Sequence, residues 1–195
     1  MKPYINLLFF LLASLVCVGQ KIDTVNILSK HFNINRQIFV FLPDNYESNL
    51  KKYFEVIYVF DAQIYEYTRL VYFTQPFLSH SLFSTIIVGI SSEVDRNKDF
   101  LPDKAFPPET FSEKRGHFGD ADKLLGFVTQ EVDSVVSTKY RTLPKSIAIG
   151  HSLGATFISY CLLQKPDFFD AYIAISPSFA YDKFQFVVNR QQKVD

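Results

Sequence analysis

Five residues constrain this chain more than any others: Gly150-His151-Ser152-Leu153-Gly154, placed between an apolar run at 145–149 and a helical pattern at 153–164. A serine between two glycines at a strand-to-helix junction describes a turn so tight that side chains at the flanking positions would collide. Such a turn lifts the serine hydroxyl above the end of a sheet. It also leaves the N–H of Leu153 at a helix N-terminus, where an uncommitted donor favours a developing negative charge. With only 7 Gly in 195 residues, a chance match is rare. The pattern therefore predicts an α/β fold with Ser152 as nucleophile and Leu153 as one oxyanion donor.

The rest of the chain is consistent with that architecture. Residues 25–28 and 37–42 read as an opening antiparallel pair, the second strand stopped by Pro43-Asp44-Asn45. Residues 54–60 and 84–90 are nearly continuous apolar runs rich in β-branched side chains, the signature of parallel strands covered on both faces. Residues 64–79 are long enough for a crossover helix, which Pro76 should shorten. The clearest helix is 120–140, with Leu124, Leu125, Phe127, Val128, Val132, Val135, Val136 and Tyr140 on one face and Asp120 as its cap. A strand at 171–175 follows the helix ended by Lys165-Pro166. The stretch 91–119, with Pro102, Pro107, Pro108, Gly116 and Gly119, reads as a long loop at the C-terminal edge of a strand, where ligands bind in open α/β sheets.

Composition supports burial and excludes some partners. With 48% hydrophobic residues, 21 Phe and 11 Tyr, the chain can build a core. Twenty basic and twenty acidic side chains cancel, so no positive field speaks for nucleic acid. Residues 1–19 read as an export signal: Lys2, then an apolar run from Ile5 to Val18, then small residues before Gln20. The run is shorter than the roughly 20 apolar residues of a spanning helix. No membrane span is expected after cleavage, and the mature chain should be periplasmic or extracellular. Cys17 follows Val16 rather than the small residue a lipid-attachment site needs. Cys161 is then the one mature cysteine, so no intrachain disulfide is expected.

Beyond the serine turn, several stretches resemble the putative-esterase family of α/β hydrolases, which includes siderophore trilactone esterases. They are Arg36 to Tyr46, Tyr58-Val59-Phe60-Asp61-Ala62-Gln63, Val88-Gly89-Ile90 with Asp95-Arg96 and Phe100-Leu101-Pro102, and Phe168 to Ser178. Departures from the family pattern are Ala62 and Ala155 where glycine is common, and Phe179, Ala180 and Tyr181 where tryptophans occur. The resemblance implies an α/β-hydrolase domain over 20–195, a small-molecule ester as substrate, and no cofactor or metal. It implies acyl-enzyme formation at Ser152, with Leu153 and either Ala62 or Gln63 donating to the oxyanion.

It also implies an acid and then a histidine after the nucleophile. No histidine follows Ser152. The sequence is therefore expected to be incomplete at its C-terminal end, with the last strands, the acid and the histidine encoded beyond residue 195. Three readings follow: a serine ester hydrolase, a catalytically silent module of the same fold, or an acyltransferase. Of the histidines present, His151 is expected to pack against the sheet, His31 and His80 to be structural, and His117 to lie in the loop nearest the site. Asp61 is read either as holding the oxyanion loop or as a helix cap. Asp95 and Arg96 are read either as lining the entrance or as a solvated pair. Asp167 and Asp170 should flank the start of the strand at 171, and Asp182 comes too early to be the acid.

Overall fold

Burial along Phe54–Phe60 alternates between two apolar clusters: Val56, Tyr58 and Phe60 face one, Ile57 and Val59 the other. That is how a strand in the middle of a sheet with two covered faces behaves. The computed structural model describes residues 21–78, 85–92, 95–102 and 119–179. The export-signal reading at 1–19, His80, His117, Asp182 and most of the loop 91–119 lie outside these.

The sheet has six strands: β1 (Ile22–Ser29), β2 (Ile34–Phe41), β3 (Phe54–Phe60), β4 (Ile86–Ile90), β5 (Thr142–His151) and β6 (Ala171–Ile175). Their order is β1-β2-β4-β3-β5-β6. β1 and β2 are antiparallel neighbours, and β2 lies antiparallel to β4. The pairs β4/β3, β3/β5 and β5/β6 are parallel. This is the mixed, mostly parallel sheet of an α/β-hydrolase fold, with the two-stranded opening predicted from the sequence. The first hairpin is longer than expected because Asn33, at φ 55°, takes the left-handed turn position that asparagine tolerates.

Helices α1 (Tyr65–Leu78) and α2 (Arg96–Phe100) follow β3 and β4. The predicted helix 120–140 is three joined pieces: α3 (Ala121–Gly126), a π-helical turn (Phe127–Val132) and α4 (Asp133–Lys139). Its apolar face holds Leu124, Phe127, Val128, Val132 and Val136 against the sheet, together with Phe157, Ile158 and Cys161 of α5 (Leu153–Gln164). The opposite sheet face is covered by Tyr67, Val71 and Tyr72 of α1 over Phe41, Ile57, Val59 and Ile87. Asp120 sits at the cap position of α3 but makes no capping hydrogen bond. It pairs instead with Lys123 at 2.8 Å and Lys98 at 3.3 Å. Burial pushes its carboxyl up, and the hydrogen bonds and charges of the two lysines override this and hold it below the usual range.

β5 begins earlier than the apolar run suggested. Phe54 pairs with Thr142 and Val56 with Ser146, so residues 143–145 bulge out of the ladder around Pro144, which has no N–H to donate. The same strand continues to His151 and delivers the next residue, Ser152, to the C-terminal edge of the sheet.

Candidate active site

β5 ends at His151 and α5 starts at Leu153, which leaves Ser152 alone to turn the chain. Its backbone sits at φ 56° and ψ −115°, a region that L-residues rarely occupy. Surrounding contacts hold it there. Ser152 N–H donates to Ile175 O at 3.0 Å, extending the β5/β6 ladder. Ser152 O accepts from the N–H and hydroxyl of Thr156 at 3.0 and 3.2 Å and from Ser178 N–H at 3.3 Å. The two glycines allow the close approach: a Cβ on Gly150 would lie 2.6 Å from the carbonyl carbon of Gly154. One on Gly154 would lie 3.3 Å from both Asp61 Oδ2 and Phe60 Cβ.

Facing this turn is a second one, after β3. Asp61 takes φ 71°, and its carboxylate is fully buried. Ala62 N–H is committed to Ile90 O at 3.0 Å, which withdraws Ala62 from the pair of candidate oxyanion donors. Among the described residues, no hydrogen bond uses the N–H of Gln63 or of Leu153. The Gln63 side chain braces the turn from both ends, its amide donating to Asp61 Oδ1 at 2.6 Å and its carbonyl accepting from Ser92 N–H at 2.9 Å.

Arg96 completes the brace. Its Nε and Nη2 donate to the two oxygens of Asp61, each at 2.7 Å. The hydrogen bonds to Asp61 raise the guanidinium above its already high ordinary value. Asp61 is therefore no helix cap, and Arg96 is no solvated partner of Asp95. Asp95 instead caps α2, accepting from Asn97 and Lys98 N–H. Another ion pair, buried at both partners, ties α2 to the sheet, Arg36 of β2 to Asp99 at 2.7 Å, with the guanidinium 4.1 Å from the centre of the Phe32 ring.

His151 is held away from the role of base, since its Nδ1 is 3.1 Å from the Tyr67 hydroxyl and the two rings meet edge to face. His31 lies at the far end of the hairpin, with its Nε2 3.3 Å from Gln130 Oε1 and 4.0 Å from Glu131 Oε1. Among the described residues no hydrogen bond reaches the Ser152 hydroxyl. Asp170 accepts from Ser146 N–H at 2.7 Å, which places it at the opposite end of β5 from Ser152, and Asp167 is exposed beside it in sequence. Cys161 is buried, and burial pushes its thiol far up, so it is inert packing. Among the described residues no group of His, Cys, Asp and Glu could hold a metal. The Asp61–Arg96 fork and the Tyr67–His151 contact were not legible in the sequence. Its one signal was that Asp61 follows the end of one strand and Arg96 lies in the loop that leaves the next.

Known proteins place the chain in a family. A family model described as "Putative esterase" matches residues 29–185. The ferri-bacillibactin esterase BesA of Bacillus subtilis is 32% identical over 108 residues, 50% of this chain and 37% of that protein. The siderophore enterobactin esterase of Emericella nidulans is 36% identical over 90 residues, 43% of this chain and 30% of that protein. These alignments thus span about a third of the curated relatives' length. Among solved structures, an IroE-like serine hydrolase from Shewanella oneidensis superposes with TM-score 0.77 at 22% identity, covering 89% of this chain and 56% of that one. That superposition speaks for the fold.

Proposed function

Since the chain belongs to the putative-esterase family, we propose that it is a serine ester hydrolase with Ser152 as nucleophile, acting on a small-molecule ester. The observation that carries this reading is the backbone of Ser152: φ 56° at a strand-to-helix junction, with the unused N–H of Leu153 next to it. A rare conformation persists only where its surroundings over-determine it, as the contacts from Ile175, Thr156 and Ser178 do here.

In the proposed step, Ser152 Oγ attacks the ester carbonyl carbon while its proton passes to a base. The carbonyl oxygen becomes an oxyanion held by the N–H groups of Leu153 and Gln63. Collapse expels the alcohol, which leaves with the proton, and water then releases the acid from the acyl-enzyme. The dipole of α5 favours the same charge. An acyltransferase would use this site with an alcohol in place of water. Among the described residues no side chain is placed to act as the base, because His151 is engaged by Tyr67 and His31 is remote.

A fluorophosphonate probe and a nitrophenyl ester test the reading. One phosphonyl adduct per chain, lost in Ser152→Ala, is the expected result, with little ester turnover because no side chain among the described residues is placed as the base. If His117→Ala abolishes turnover, His117 is the base. Absence of any adduct on folded protein would replace the esterase reading with that of a silent module, which the unengaged Ser152 hydroxyl favours. Export rests on residues 1–19 and is checked by N-terminal sequencing of secreted material, expected to start near Gln20; retained Met1 would refute it. Among the described residues no helix is long and apolar enough to cross a membrane.

A further inference from the structure

The carboxylate of Asp61 occupies an unusual place. It is fully buried, it belongs to the turn that presents Gln63 N–H, and its Oδ2 packs where a side chain on Gly154 would stand. It therefore belongs to one half of the proposed oxyanion site and lies close to Gly154, the residue after the other donor, Leu153. A buried carboxylate there has two consequences. As an acceptor it can anchor the turn, since Gln63 Nε2 and both Arg96 nitrogens converge on it. As a charge, it would repel the oxyanion that the same turn is built to receive.

The Arg96 fork answers both. Two parallel N–H donors fix the plane of the carboxylate, and the positive charge of Arg96, whose side chain is 37% exposed, offsets the field of the fully buried carboxylate. A lysine could supply the charge but not the bidentate geometry. Arg96 comes from α2, 35 residues along the chain, and α2 is itself pinned to β2 by Arg36–Asp99. The oxyanion turn is thus set by an element that contributes no donor of its own.

We propose that Arg96 is a positioning residue for the oxyanion turn: by clasping Asp61 it fixes Gln63 N–H and neutralises the carboxylate beside the reacting carbonyl. This rests on the esterase reading for its chemistry, though not for its geometry.

The test uses the full chain and four proteins: wild type, Arg96→Gln, Arg96→Lys, and the double variant Asp61→Asn/Arg96→Gln. Two quantities are read. One is phosphonylation of Ser152 by a fluorophosphonate, resolved into its maximal rate and its half-saturating concentration. The other is amide hydrogen exchange of residues 61–64.

Arg96→Gln is expected to lower the maximal rate on the order of 10²-fold, the size of losing one oxyanion donor, with half-saturation changed less than about threefold. Amides 61–64 should exchange at least about tenfold faster while those of β3 and β5 are unchanged. Arg96→Lys should fall between. The double variant, which removes charge and counter-charge together, should recover most of the rate. If Arg96→Gln matches wild type in exchange at 61–64, the proposal is overturned. A double variant as slow as the single one overturns the charge-cancelling part. Should wild type take no label, the esterase reading fails, and the exchange arm still decides whether Arg96 holds the turn.

Discussion

Replacing Gly150 with alanine tests the turn at its tightest point. The added methyl would lie 2.6 and 2.7 Å from the carbonyl carbon and oxygen of Gly154 and 2.8 Å from Ile158 Cδ1. Two of these three atoms are backbone and cannot rotate away, so either β5 or α5 must shift. Overpacking of this kind costs up to about 3 kcal/mol. Alanine in a strand returns about 0.5–1 kcal/mol of backbone entropy, leaving a net loss of about 2 kcal/mol. For a chain of this length that lowers Tm by about 4–8 °C. Gly154→Ala is the control. Its methyl meets Asp61 Oδ2 and Phe60 Cβ at 3.3 Å, a contact relieved by a few tenths of an ångström. Alanine also gains up to about 1 kcal/mol in a helix, so this variant should stay within about 1 kcal/mol of wild type. Urea unfolding with matched m-values and thermal scans measure both. A Gly150→Ala protein as stable as Gly154→Ala would refute the steric account of the turn.

Other substitutions probe separate features. Ser152→Gly should raise stability by about 1 kcal/mol, since glycine adopts φ 56° without strain, while Ser152→Ala keeps the strain and should leave Tm unchanged; thermal scans of the pair decide it. Arg36→Met leaves Asp99 buried without its charge partner and should cost about 3–5 kcal/mol in urea unfolding, with Asp99→Asn on the same background recovering part of it. For alkaline pH, burial and the hydrogen bond to Asp44 push the Tyr72 hydroxyl up to about 12. The fold then keeps a proton that the unfolded chain releases near 10, so this contribution is complete below about pH 10 and is lost as pH rises toward 12. Urea midpoints at pH 9 and 11.5 should converge between wild type and Tyr72→Phe, and parallel curves would count against this.

The legible parts of the sequence were those written in local periodicity. The nearly continuous apolar runs at 54–60 and 84–90 located the central strands, and the glycine-bracketed serine located the turn, because each signal lies within about ten residues. Contacts across long separations left no such trace. Arg36 sits among polar neighbours at the start of β2, yet it is 2% exposed because Asp99, Ser91 O and two aromatic rings enclose it. Asp61 and Arg96 read as loop charges, and exposed charges usually pair weakly or not at all. Only the approach of the first residue of α2 to the turn after β3 makes them partners. The choice between Ala62 and Gln63 was likewise undecidable from sequence, since it depends on Ile90 O accepting from one of them.

The ties from Ile175 and Ser178 to Ser152 carry a consequence for how long the site survives. Among the described strands β6 is the last in the sheet order, and its Ile173 and Ile175 side chains are 43% and 49% exposed. Edge strands open more readily than central ones, at a free energy well below that of global unfolding. When β6 detaches, Ser152 loses the partner of its N–H and one donor contact to its carbonyl, and its backbone is free to relax to an ordinary conformation. The strained backbone of Ser152 therefore lasts only as long as its pairing with β6, whereas β3 and β4, each flanked by two strands, do not depend on that pairing. Gentle denaturant should silence the nucleophile before the far-ultraviolet signal of the sheet declines, and a ligand gripping the β6 end of the site would lengthen its working life without touching the core.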